Sequence, residues 1–239
     1  MTLDEGLSPV GRETLHERVY AQLRRSLING MFDAGDFLRI VDLAEKLQTS
    51  TMPVREALRR LISEQALEAL PNRTVRVPLI TRERLDDLAN ARIMIEGKMV
   101  ALAIPHLTAE DFDRLRQINH NCDKAFEEHS ADVGFLTSEL NQQFHFHIYH
   151  AARSNVLIPI VESLWLQSGP YIRTAAHIHE CQGGKAATNH HWALIDALER
   201  RNEDAAVTAL SNDIGRSFDL IRGTLDTSAA STTEAARYA

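Results

Sequence analysis

The chain is short of cysteine, proline, glycine and aromatic residues. Of its 239 residues, two are cysteine, seven are proline and eleven are glycine, and Phe, Trp and Tyr together make up 6%. Few helix-breaking residues, combined with abundant Leu, Ala, Arg and Glu, favour helices over sheets. Because Cys122 and Cys181 are far apart and form no C-x-x-C pair, we expect free thiols in a reducing cytoplasm.

Long apolar runs are missing as well. No stretch of about 18 apolar residues occurs, so the sequence predicts no membrane-spanning helix. The opening residues MTLDEGLSPVGRETL are acidic and polar and lack the apolar segment of a secretory signal. With 44% hydrophobic and 25% charged residues, the composition is typical of a globular protein with ample material for a core.

The chain also lacks an excess of positive charge. Residues 1–80 hold 11 of the 26 basic and 11 of the 33 acidic residues, which leaves 15 and 22 for residues 81–239 and places the net charge of −7 there. A neutral N-terminal part differs from a strongly basic nucleic-acid-binding module. Any DNA-binding function must therefore depend on where individual arginines are placed.

The first helical segment begins with a Thr-x-x-Glu capping box. Apolar residues then recur every fourth position from Leu15 to Leu27, which predicts one buried face, and Gly30 is placed to end the helix. The stretch FDAGDF (32–37) predicts a turn. A short second helix is expected over about 40–47, in which leucines point inward.

The segment QTSTMPVREALRRL predicts a third helix that begins near Ser50. Its apolar residues between Val54 and Leu61 follow helical spacing and predict a buried face, while its arginines point elsewhere. A short helix, a polar turn and a helix with arginines near its N-terminus match helix-turn-helix geometry, in which the second helix lies in the major groove. Arg55 is then placed to donate two hydrogen bonds to a guanine, although charge alone leaves a solvated arginine face equally open.

Two short β-prone segments, 68–70 and 75–77, flank the turn Pro-Asn-Arg-Thr. They predict a two-stranded hairpin, or wing, beside the third helix. Its tip residues Asn72 and Arg73 are expected to reach the DNA backbone or the minor groove. The predicted DNA-binding residues are therefore Ser50, Thr51, Arg55, Arg59, Asn72 and Arg73.

Residues 15–77, which include LHERVYAQLRRSLINGMFDAGDFLRIVDLAEKL and PVREALRRLISEQALEALPNRTVRV, resemble the winged-helix domain of the GntR family of bacterial transcription regulators. The string PVREALRRL is quite specific for that family. The sequence departs from the family at Thr51, where arginine is usual, and at Thr74, where glycine is usual. The loss of a groove-facing arginine and of the residue that most easily adopts positive φ implies an altered operator preference.

From residue 82 onward nearly the whole chain has helical spacing, which predicts an all-α antiparallel bundle. The stretch ARIMIEGKMVALAIPHLTAEDFDRL resembles the opening of the FCD ligand-sensing domain of the FadR-like branch, and HHWALIDALERRNEDAAVTALSNDI resembles its end. Six helices are expected, over about 82–104, 108–129, 132–152, 155–181, 187–200 and 203–225. The predicted organisation is a winged helix-turn-helix domain over 9–78, an effector-sensing and dimerisation domain over 82–226, and a disordered tail over 227–239.

Three histidines lie within six residues in the stretch NQQFHFHIYH, which starts at Asn141. On a helix, Asn141 and His145 are separated by about 40° and share one face. His147 and His150 lie on a different face. The three imidazoles therefore do not form one metal cluster, and at most one of them joins Asn141.

His191 and Asp213 are each eleven residues from Asn202, in the polar turn between the last two helices. In an antiparallel hairpin they lie level with each other, where they can meet Asn141 and His145 inside the bundle. The resemblance implies that these four positions hold a metal ion, although the last of them is usually histidine. Two imidazoles, a carboxylate and an amide oxygen suit Zn²⁺, Ni²⁺ or Mn²⁺; the alternative is that the four groups bind an organic ligand, water or each other.

Arg92 lies on an otherwise apolar helix and needs an anionic partner if it points inward. The resemblance implies that this partner is the carboxylate of an effector beside the metal, matched by the guanidinium. An internal ion pair with Glu96 is the alternative. Arg173 is a second candidate effector-binding residue.

The sequence as a whole predicts a DNA-binding transcription regulator rather than an enzyme. Its operator affinity would be controlled by a small carboxylate metabolite that binds one arrangement of the protein better than another. A homodimer on palindromic half-sites is expected because one helix-turn-helix reads one half-site. One alternative is a metal-dependent hydrolase with an accessory N-terminal domain, but the sequence contains neither an H-E-x-x-H motif nor a nucleophile elbow. The other alternative is a ligand-free dimerisation module.

Overall fold

The computed structural model describes residues 14–71, 74–128, 133–181 and 188–235. These residues form a mainly α-helical structure with a small sheet, as the sequence predicts. None of the described helices is both long and apolar enough to span a membrane. In chain order the elements are α1 (Leu15–Ile28), β1 (Phe37–Leu38), α2 (Ile40–Lys46), α3 (Thr51–Ser63), β2 (Glu68–Leu70), β3 (Thr74–Arg76), α4 (Arg82–Ala103), a 3₁₀ turn (Ile104–His106), α5 (Ala109–Glu128), α6 (Val133–Ala151), α7 (Leu157–Cys181), α8 (Asn189–Glu199) and α9 (Glu203–Ala235).

Helix α1 begins at the predicted capping box. The Thr14 backbone N–H donates to the Glu17 carboxylate at 2.7 Å, and the Glu17 N–H donates to the Thr14 hydroxyl at 3.3 Å. The helix ends at Asn29, and Gly30 follows in the left-handed region with φ +65°, which glycine adopts without strain. The apolar face of α1 packs against that of α3; the buried residues are Val19, Leu23, Leu27, Val54, Ala57, Leu58 and Leu61.

The wing is a three-stranded antiparallel sheet in the order β1–β3–β2. Leu38 of β1 pairs with Val75 of β3, and Ala69 of β2 pairs with the same residue from the other side. The predicted hairpin is therefore present, but β1 starts at Phe37, inside the stretch predicted as a turn only. A strand of two residues is too short to show an alternating pattern, so no periodicity indicates it.

The six helices predicted after residue 82 are α4 to α9. The bundle core contains the largest fully buried side chains, among them Trp165, Tyr149, Phe144 and Phe218. Cys122 is a buried free thiol, and the side chain of Cys181 lies outside the described residues. The expected disordered tail over 227–239 differs from the structure, in which α9 continues to Ala235; no Gly or Pro interrupts residues 224–235, and extending an existing helix needs no new nucleus. Residues 236–239 lie outside the described part.

The contact between α1 and α7 holds the N-terminal helices against the bundle. They approach so closely at Gly169 that a Cβ atom there would lie 1.9 Å from the carbonyl oxygen of Leu27. Nearby, Arg173 donates a hydrogen bond to the carbonyl oxygen of Gly30. An ion pair between Arg24 and Glu162, at 3.2 Å, extends the same contact.

Candidate functional site

The N-terminal half of α3 presents a polar surface on a rigid support. Val54 and Leu61 are fully buried, so the helix cannot rotate without exposing its apolar face. Ser50 and Thr51, at the start of the helix, are exposed, and the Ser50 hydroxyl makes no capping hydrogen bond. Both hydroxyls are therefore available to a partner outside the protein.

The three arginines of α3 have different surroundings. Arg60 pairs with Glu64 at 3.1 Å and stacks over the ring of Tyr20 at 3.7 Å, so it is turned toward α1. Arg59 is exposed and pairs with Glu56 at 2.7 Å. Arg55 is half-buried and has no carboxylate partner in the described part of the chain. Of the three, Arg55 has the guanidinium most available for an external acceptor.

Asn72 and Arg73, both predicted to contact DNA, lie outside the described residues. Thr74, where the family usually has glycine, is the first residue of β3.

Inside the bundle, side chains from three helices meet at one point. His145 of α6, His191 of α8 and Asp213 of α9 place one nitrogen or oxygen each within 4.8 Å of one another. The Nε2 atom of His145 lies 3.2 Å from Oδ2 of Asp213, and Nε2 of His191 lies 3.5 Å from Oδ1 of the same carboxylate. The level placement of His191 and Asp213 across the last hairpin is the one that the sequence predicts. Asn141, one turn before His145, lines the adjoining cavity.

The charge states at this cluster suit a cation. Burial lowers the pKa of His145, and the attraction of Asp213 only partly offsets this, so the imidazole is neutral. Burial alone would raise the pKa of Asp213, but the two imidazoles together hold it well below its usual range, so the carboxylate is ionised. Neutral imidazole and ionised carboxylate are the forms that bind metals.

One buried atom in the cluster makes no hydrogen bond. The Nδ1 atom of His191 lies 3.0 Å from Oδ1 of Asn119, whereas its Nε2 atom is buried without a hydrogen bond. A buried polar atom left unpaired costs about 1–3 kcal/mol. A divalent ion between His191, His145 and Asp213 would supply the missing partner, so the residues present fit a metal of the Zn²⁺, Ni²⁺ or Mn²⁺ class.

A cavity of about 50 Å³ adjoins the cluster. This is enough for a few water-sized groups. Hydroxyl groups and apolar side chains line it together with His191 and Asp213, and no lysine or arginine does so among the described residues. The hydroxyl and apolar residues are Thr137, Ser138, Thr188, Ser217, Phe126, Ile172, Ala175 and Ala176.

The two predicted effector-binding arginines lie elsewhere. Arg92 is 3% exposed, and its Nε atom donates to Oε1 of Glu96 at 2.6 Å. The structure thus has the internal ion pair, because Glu96 is one helical turn away on the same buried face. Arg173 is about 100° around α7 from Ile172, which lines the cavity, and it contacts Gly30 instead.

Sequence reasoning missed several residues around the imidazoles. Tyr149 lies 3.3 Å from Nδ1 of His145, and its position four residues after that histidine was an available signal. Asn119 and Trp165 come from α5 and α7, and nothing in their local sequence indicates their place. His147 pairs with Asp111 of α5 at 3.0 Å, on a different face from His145, as helical spacing predicts.

Comparisons with known proteins cover nearly the whole chain. Residues 15–77 match the bacterial regulatory proteins of the gntR family, and residues 87–216 match the FCD domain. The chain is 30% identical to the HTH-type transcriptional regulator McbR of Escherichia coli strain K12, over 83% of this chain and 89% of that protein. It is 27% identical to the Nta operon transcriptional regulator of Aminobacter aminovorans, over 80% of this chain and 86% of that protein.

A solved structure is similar in fold over a comparable range. The structure of E. coli McbR/YncC matches with a TM-score of 0.81 and 26% identity, covering 90% of this chain and 100% of that one. The similar proteins named here are transcription regulators rather than enzymes, as the sequence predicts for this chain.

Proposed function

Because the chain belongs to the GntR family of bacterial transcription regulators, in the branch that carries an FCD domain, we propose that α3 reads operator DNA under the control of a small molecule bound in the bundle. The DNA-reading part is assigned to residues 9–78 and the sensing part to residues 82–226. The sensing part would hold a divalent metal ion. Two chains would form a homodimer, since one helix-turn-helix reads one half-site of a palindromic operator.

The observation that supports DNA reading is the state of Arg55. Its guanidinium lacks a carboxylate partner in the described part of the chain and projects from a helix fixed by buried residues. A guanidinium held in this way can donate two hydrogen bonds to O6 and N7 of a guanine. Ser50, Thr51 and Arg59 lie beside it and would contact the backbone, together with Asn72 and Arg73 of the wing.

Replacing Arg55 with alanine is expected to weaken operator binding about 5- to 150-fold per half-site, because a bidentate contact to a base contributes about 1–3 kcal/mol. The operator is first selected from random duplex DNA with the wild-type protein, and binding is then measured by fluorescence anisotropy at fixed salt. Arg60→Ala is the matched control, since Arg60 faces Tyr20. Equal operator affinity of the Arg55 variant and the wild type would contradict the placement of α3.

The observation that supports a metal is the unpartnered Nε2 atom of His191, which shares its surroundings with His145 and Asp213. Asn141 would provide the fourth ligand from the side of the cavity. When bound, the metal would supply a positive centre that attracts a carboxylate or hydroxyl oxygen of the effector. The described cavity lining contains no cationic side chain, so an acidic effector would depend on that centre, and the cavity volume limits it to a small organic acid.

Replacing both His145 and His191 with alanine is expected to remove the metal. Elemental analysis and native mass spectrometry of the purified wild type should report about one divalent ion per chain, and the double variant should report none. Acidification should also release the ion, because protons compete for the imidazoles. His147→Ala serves as the control, since that imidazole pairs with Asp111. Stoichiometric metal in the double variant would refute the site.

A further inference from the structure

The ring nitrogen of His145 that faces away from Asp213 has a defined neighbour. Tyr149 Oη lies 3.3 Å from Nδ1 of His145 and also donates a hydrogen bond to Oε2 of Glu96. A tyrosine hydroxyl has one proton. Since this proton points to Glu96, the oxygen presents a lone pair to the imidazole. Tyr149 thus offers an acceptor for a proton on Nδ1 of a neutral His145, in competition with Asp213 at Nε2, and a proton on Nδ1 leaves the Nε2 lone pair free for a cation placed beside Asp213.

Glu96 fixes the direction of the tyrosine proton. Its carboxylate is fully buried and accepts from Arg92 Nε at 2.6 Å and from Trp165 Nε1 at 3.0 Å. Both partners are donors only, so Glu96 acts as an acceptor toward each of its neighbours, Tyr149 included. The guanidinium of Arg92 supplies the counter-charge of this buried carboxylate.

The second imidazole is held in a similar way. Nδ1 of His191 lies 3.0 Å from the side-chain oxygen of Asn119, a residue with no solvent exposure. With the ring proton on Nδ1, the Nε2 atom of His191 carries a lone pair. Both Nε2 atoms can then offer a lone pair to one cation beside Asp213, from different helices.

We propose that Glu96, Tyr149 and Asn119 are positioning residues that hold both imidazoles with the proton on Nδ1, so that both Nε2 atoms are ready to bind one cation. This inference rests on the proposed metal site and deepens it. It also gives Arg92 a role other than effector binding, as the counter-charge of Glu96. Partners of this kind typically change metal affinity about 10- to 100-fold.

The test compares two tyrosine variants of the full chain. Tyr149→Phe keeps the ring and removes the hydroxyl, and it should weaken Zn²⁺ and Ni²⁺ binding about 10- to 100-fold in chelator-competition titrations of metal-free protein. Tyr171→Phe removes another buried hydroxyl, from a ring that stacks on Phe218 rather than on His145 or His191, and should leave the affinity unchanged. Equal affinities of the Tyr149 variant and the wild type would overturn the proposal. Asn119→Leu makes the same test on His191.

A second readout does not depend on metal affinity. The ¹⁵N chemical shifts of the histidine rings in the metal-free protein should show a larger share of the Nδ1-protonated form of His145 in the wild type than in Tyr149→Phe, because the variant removes the acceptor that competes with Asp213 for the ring proton. The same ring state in both proteins would overturn the proposed role of Tyr149. If the wild type bound neither Zn²⁺ nor Ni²⁺, the proposed metal site would fail, and the ring shifts would still decide whether Tyr149 holds the imidazole.

Discussion

Replacing Glu96 with alanine is expected to lower the free energy of unfolding by about 3–5 kcal/mol, because the variant leaves a buried charge without its partner. Arg92 is 3% exposed and would keep its guanidinium in the bundle core. The hydroxyl of Tyr149 and the indole N–H of Trp165 would lose their acceptor as well. Urea unfolding of the metal-free protein, followed by circular dichroism, measures the change.

Two further variants show whether the loss of stability comes from the burial of the ion pair or from the removal of a charge as such. Glu139→Ala breaks an ion pair with Arg25, whose side chain is 70% exposed, and should cost no more than about 1 kcal/mol. Replacing both Arg92 and Glu96 with leucine should recover part of the loss, since no unpaired charge then remains. If Glu96→Ala is no less stable than Glu139→Ala, the buried guanidinium of Arg92 does not depend on the charge of Glu96, and the prediction is wrong.

Replacing Gly169 with alanine is expected to force α1 and α7 apart. The added Cβ would lie 1.9 Å from the Leu27 carbonyl oxygen and 3.1 Å from Cα of Ile28. Both are backbone atoms, so no change of rotamer relieves the clash. Alanine gains about 1 kcal/mol in helix propensity, but overpacking costs about 1–3 kcal/mol or more, and the contact between the helices is expected to open.

The opening can be measured by limited proteolysis at the junction 78–81 and by thermal unfolding, where two transitions should replace one. Gly215→Ala is the matched control, because a Cβ on that residue of α9 would meet no atom within 4 Å. The control should be neutral or slightly stabilising. Protection of the junction and a single wild-type transition in the Gly169 variant would contradict the predicted separation.

Local patterns in the sequence were sufficient for the helices. The capping box at Thr14 and the four-residue spacing of apolar side chains depend on neighbours within one or two turns, and both appear in the structure as predicted. The six bundle helices were found for the same reason. Strand β1 was missed because two residues carry no period, and its partner, β3, lies far along the chain.

The candidate site could be predicted only in part. Symmetry about Asn202 placed His191 level with Asp213, and the resemblance connected them to His145; the structure brings these three together. The partner of Arg92 could not be decided, since an effector and Glu96 both satisfy a buried guanidinium. Asn119 reaches His191 only through the packing of α5 on α8, which no local pattern encodes.

Helix α7 serves two neighbours at once. One of its faces, with Ile172 and Ala175, forms one wall of the cavity. The adjoining face, with Gly169 and Arg173, contacts α1 and the residues that follow it. An effector that needs more than about 50 Å³ and displaces this wall would also act on α1. The displacement would be passed on because the backbones of α7 and α1 meet at Gly169, and α3 packs directly on α1. We therefore expect the size of the effector to influence the tilt of α3.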